Sequence, residues 1–132
     1  MTHMRKLILG LLLMLGATAA TAATAFDHSH TAWDSLLRKH VVLTQDGNAS
    51  QVRYAGMLSD RKLLQAYLES VSNVTEADYR SWPKARQLAF LVNSYNAWTL
   101  DLVLGRYPDL KSIKDLGSVF QSPWKRKFFI LE

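Results

Sequence analysis

From Pro83 onward the chain carries its longest run of helical periodicity, and that run constrains the fold more than any other feature. Leu88, Leu91, Val92, Tyr95, Thr99, Leu102 and Val103 recur at spacings of three and four, the repeat of one helix face. Pro83 suits a first turn, where its missing N–H costs nothing, and Tyr107-Pro108 marks the far limit. The pattern predicts a helix over 83–105, about six turns long. It is the longest and most apolar segment, so the other elements should pack around it.

Those other elements are mostly helical too. Trp33, Leu36, Leu37, His40 and Val41 fit a short amphipathic helix, and Leu63, Leu64, Tyr67, Leu68 and Val71 fit a second. Ser59 is placed to cap the second helix, with Asp60 in its first turn. Thr75-Glu76-Ala77-Asp78 forms a capping box for a short helix ending near Trp82, and Ser112 with Asp115 forms another that Gly117 can close. Strand signals are few. Asp46-Gly47-Asn48 is a turn signal, Gln51-Val52-Arg53-Tyr54 alternates polar and apolar, and residues 127–131, after a start signal at Ser122-Pro123, are short and apolar. The expected fold is mainly α with minor β (α+β), with helices packed around the long central helix.

A chain of 132 residues has room for one domain, and 48% hydrophobic with 20% charged residues is a globular balance. No cysteine is present, which excludes disulfides, thiolate metal sites and a cysteine nucleophile within these residues. The first 25 residues have the layout of an export signal. Arg5 and Lys6 supply a basic start, residues 7–15 are apolar apart from Gly10, and residues 17–25 are all Ala and Thr. The apolar run is about half the length of a membrane span. Frames of the A-x-A type end at Ala19, Ala22 and Ala25, and cleavage after Ala25 leaves ordinary mature sequence from Phe26. The expectation is a periplasmic or secreted protein of residues 26–132, with no integral membrane span after cleavage. Arg5 and Lys6 account for part of the formal net charge of +5, so some of the apparent basicity belongs to the signal.

Most chemical motifs are missing. The six glycines are scattered and form no phosphate loop, and neither a G-x-S-x-G elbow nor an H-E-x-x-H helix occurs. His28 and His30 make an H-x-H pair, but without a neighbouring carboxylate cluster they are expected to lie in a flexible tail rather than bind metal. His40 ends an amphipathic helix, where it is expected at the surface or as a partner of the dipole. Lys125-Arg126-Lys127 stands beside Trp124, Phe128 and Phe129; three charges in an exported chain fit a solvated strand edge better than a nucleic-acid surface. No cofactor, no metal and no nucleic-acid partner is expected.

The unusual feature is Asn93-Ser94-Tyr95-Asn96 inside the long helix. Asn and Ser are weak helix formers, and a buried amide left unpaired costs roughly 1–3 kcal/mol. Asn93 and Asn96, three apart, share a face near Ala89, Ala97 and Leu100. Their amides either tie down loop backbone or line a polar pocket that orients a ligand. Tyr95, on the predicted apolar stripe, is expected to be buried with its hydroxyl hydrogen-bonded. Asn93, Tyr95 and Asn96 are therefore the candidate ligand-binding or structural cluster, and no catalytic residue is expected.

These residues also carry a resemblance. The stretch Ala89-Phe90-Leu91-Val92-Asn93-Ser94-Tyr95-Asn96-Ala97 resembles the signature of the domain of unknown function 547 family. The resemblance continues through Arg106-Tyr107-Pro108 and Ile113-Lys114-Asp115-Leu116-Gly117 to Ser122-Pro123-Trp124-Lys125 and Phe128-Phe129, and covers roughly residues 31–132. Leu91 stands where the family usually has Trp. The resemblance implies that the family domain continues further, through segments holding its recurrent His, Glu and Cys, whereas this chain stops at Ile130-Leu131-Glu132. The expectation is the N-terminal part of such a domain: non-catalytic as it stands, or the first portion of a hydrolase-like or thiol enzyme whose reactive residues lie further on.

Overall fold

The computed structural model describes residues 25–112 together with Asp115. Among the described residues the fold is mainly α with minor β, as expected, the β part being a two-stranded antiparallel sheet.

The chain enters through a turn built on Asp27, whose carboxylate accepts the Ser29 and Thr31 N–H groups at 2.9 Å each. That holds the start of α1 (Thr31–His40), whose last turn carries Arg38 and Lys39, cations suited to the negative end of a helix dipole. Trp33, Leu36 and His40 face inward. The chain then forms β1 (Val41–Leu43), which pairs with β2 (Ser50–Val52), Val41 opposite Val52 and Leu43 opposite Ser50. Gly47, at φ 70°, takes the left-handed position that turns the hairpin, as Asp46-Gly47-Asn48 foretold.

The strand expected at 51–54 is therefore displaced. It stops at Val52, and Tyr54 opens a helix, α2 (Tyr54–Ser59). Its partner β1 went unpredicted because a pair of three-residue strands is stabilised by cross-strand pairing, which a single segment does not display. Ser59 ends α2 and does not cap α3 (Arg61–Ser72). Its hydroxyl donates back to the Ala55 carbonyl, and the Asp60 carboxylate is engaged by α1.

The cap expected at Thr75 forms through one half of the box. The Asp78 N–H donates to Thr75 Oγ1 at 3.1 Å and starts α4 (Glu76–Ser81). After Pro83 comes α5 (Lys84–Leu104), within one residue of the predicted ends. At the far end the Ser112 N–H donates to the Asp115 carboxylate at 2.9 Å, part of the second expected box.

Helix α3 packs on α5 and on α1, and α2 touches all three. Trp33, Leu36, Met57, Leu64, Tyr67, Leu68, Val71, Phe90, Ala97, Leu100 and Leu104 form the core. Arg61 ties the start of α3 to the end of α5: Nε donates to Asp101 Oδ1 at 2.8 Å and Nη2 to the Asp101 carbonyl at 3.2 Å.

The central helix faces the other way from expectation. Its buried residues are Gln87, Phe90, Ser94, Ala97, Leu100 and Leu104, whereas Leu88 is 63% exposed, Val92 50% and Tyr95 48%. The expected burial of Tyr95 is thus overturned. Both faces of α5 carry apolar residues, and the packed face is the one with small side chains at Ser94 and Ala97, where a neighbouring helix can approach closely.

Candidate functional site

The predicted polar cluster divides. Asn93 is half-buried, while Tyr95 and Asn96 are exposed on the outward side of α5. Ser94 lies between them in sequence but is fully buried on the opposite, core-facing side. The helix rotation of about 100° per residue separates these neighbours. Asn96 is exposed, so its amide is open to solvent rather than tied to a packed loop. The outward side holds a long uncharged surface instead: from Gln87 to Leu100 the helix has no charged residue, and Leu88 and Val92 stand one turn apart upon it.

Sequence reasoning placed the histidines wrongly. His30 is not in a loose tail but 7% exposed, with Nδ1 2.7 Å from the Tyr67 hydroxyl of α3. Phe26 lies in the same nest, with ring centroids 5.6 Å from Trp82 and 5.2 Å from both Phe90 and His30. His28 meets Trp82 edge-on at 4.5 Å, and its buried Nδ1 has no hydrogen-bond partner. Burial pushes the His30 imidazole pKa below its ordinary value; Asp27 opposes this and His28 adds to it. Burial, and then the Asp27 charge, hold the Tyr67 hydroxyl above its usual range, so Tyr67 remains a donor. The signal that could have located this nest is Phe26: an aromatic residue within a supposed tail needs an apolar surface.

Of the two places expected for His40, the surface is excluded: it sits in the last turn of α1 but is buried at 5% exposure. Its Nε2 lies 2.7 Å from Asp60 Oδ2, which also accepts from Lys39 Nζ at 2.7 Å. The Lys39 hydrogen bond first, and that of His40 second, hold the Asp60 carboxyl below the usual carboxylate range. The imidazole rests on Gly56, where an added Cβ would lie 2.8 Å from His40 Nδ1. Alongside runs an open groove of about 380 Å³ between α1 and α3, walled by Leu36, Leu63, Ala66 and Tyr67 with Lys39 and Asp60 at its polar margin. This carboxylate–imidazole–ammonium group holds the end of α1 to the start of α3.

Among the described residues no group of three or more His, Cys, Asp and Glu is placed to hold a metal ion, and no helix is long and apolar enough to cross a membrane. All but the last residue of the export signal expected over 1–25, the basic run Lys125-Arg126-Lys127 and the apolar stretch 127–131 lie outside the described residues. No family model, no curated protein and no solved structure matches the chain.

Proposed function

We propose that this chain is an exported domain, the N-terminal part of one of the domain of unknown function 547 kind, and that it acts by packing rather than by catalysis. In this reading the outward face of α5 receives the polypeptide layer that the family resemblance places after it. The observation that carries the reading is the exposure of Leu88 and Val92 at the middle of the longest helix. A helix apolar on all sides is normally covered on all sides, and among the described residues α5 has core on one side only. Asn93 and Asn96 flank that face and supply amide donors and acceptors for a covering backbone.

The test has two arms. Expressed with its own N-terminus in a Gram-negative host, the protein should be recovered from the periplasm beginning at Phe26; intact Met1 in the soluble cytosol would reject export. Purified alone, it should bind a hydrophobic dye and associate as concentration rises. Leu88→Lys with Val92→Lys should relieve both while shifting stability by about 0.5 kcal/mol or less, as exposed positions allow. A monodisperse, dye-silent wild type with a sharp thermal transition would reject the covering-layer role.

A further inference from the structure

We propose that residues 26–30 form an acid-sensitive latch: protonation of His30 releases this segment from its aromatic floor of Trp82 and Phe90 while the helices remain folded.

Three independent features meet at His30. The first is its hydrogen bond. Nδ1 lies 2.7 Å from the Tyr67 hydroxyl, and in the neutral imidazole that carries its proton on Nε2 this hydroxyl donates and Nδ1 accepts. An imidazolium has donors at both nitrogens, so protonation sets donor against donor until the Tyr67 hydroxyl turns to accept. The second is the site itself. His30 is buried between the Phe26 ring and Tyr67, and a charge there loses its water. The third is backbone. His30 has φ 50°, a left-handed conformation that a residue with a side chain adopts only when packing holds it. It sits at the N-cap of α1, between segment and helix, so release of the segment also relieves that strain.

The neighbouring charges are few. On the segment itself, Asp27 favours the imidazolium and His28 disfavours it. Asp27 is already engaged by two N–H groups. From α3 comes the uncharged Tyr67. Tyr79 of α4 touches Trp82 and Phe90 of the floor, and Gln87 of α5 is neutral and bonded to the Tyr79 and Trp82 carbonyls. His28 gives the segment a second weak point, a buried nitrogen without a partner. The helices below are also held by contacts that involve neither histidine: the Arg61–Asp101 ion pair and the core packing of Leu64, Leu68 and Val71 of α3 with Ala97, Leu100 and Leu104 of α5.

The direction of the effect follows from burial. The seated segment binds fewer protons than the released one, so seating is at full strength above pH of about 6.5, the unperturbed imidazole value, and weakens as pH falls below it. The ratio of seated to released forms should drop by up to about tenfold per pH unit across that window.

Histidine ring NMR and aromatic NOEs on the full chain test this from pH 8 to pH 4.5, with amide exchange followed in parallel. The Phe26–Phe90 NOE should vanish as His30 titrates, while α5 amides keep their protection. An NOE that survives the titration of His30, or α5 protection lost in the same step, overturns the latch. His30→Asn tolerates the left-handed backbone and does not titrate, so its Phe26–Phe90 NOE should persist at pH 5; its loss there, after normal seating at pH 8, overturns the role of His30. Should His30→Asn not seat at any pH, Tyr67→Phe decides. Without the hydroxyl the neutral seated form loses its hydrogen bond, and the release midpoint should move to higher pH; an unmoved midpoint overturns the mechanism.

Discussion

His40 shows how much one neighbour can decide at the residue scale. At the end of an amphipathic helix a histidine usually meets solvent or the helix dipole, and nothing local distinguishes this one. It is buried because Asp60, twenty positions away, supplies a carboxylate and because Gly56 leaves room for the ring. Gly56→Ala should therefore destabilise the fold although Ala is the better helix former. The new Cβ would meet His40 Nδ1 at 2.8 Å, and the ring cannot swing away without leaving Asp60. The expected loss is about 1–3 kcal/mol, typical of overpacking, read as a lower urea midpoint. An unchanged midpoint would mean that the imidazole relaxes freely.

At the scale of the element, α5 was legible in its length and ends but not in its orientation. Pro83 and the apolar repeat placed its limits within a residue of those observed. Its packed face was not deducible from periodicity, because Leu88, Val92 and Tyr95 make as good an apolar stripe as Phe90, Ala97, Leu100 and Leu104. What separates the two is the fit against α3 and α2, which periodicity does not contain. The consequence is measurable at Asn96. Were its amide buried, replacement would strand a partner, at roughly 1–3 kcal/mol. Asn96 is exposed, so Asn96→Leu should leave the denaturation midpoint within about 0.5 kcal/mol of wild type, or raise it slightly through better helix propensity. A loss beyond about 1 kcal/mol would put a hydrogen-bond partner on this face.

For the molecule as a whole, the described core is one cluster joining α1, α2, α3 and α5, with Leu64 fully buried within it. Leu64→Ala should cost about 2–5 kcal/mol, since the cavity cannot close without moving more than one helix. That is a large share of the roughly 5–15 kcal/mol typical of a domain, so the thermal midpoint should fall with the transition still cooperative. A loss of cooperativity without a shift in midpoint would show that these helices do not melt as one unit. The sequence by itself determined the helical character, the turn at Gly47, the Thr75 cap and the limits of α5, because each depends on residues within a turn of one another. Only the tertiary structure decided which face of α5 is covered, that His30 meets Tyr67, and that His40 meets Asp60. Those outcomes depend on side chains brought together from distant positions, where burial and a matching partner, rather than local propensity, set the free energy.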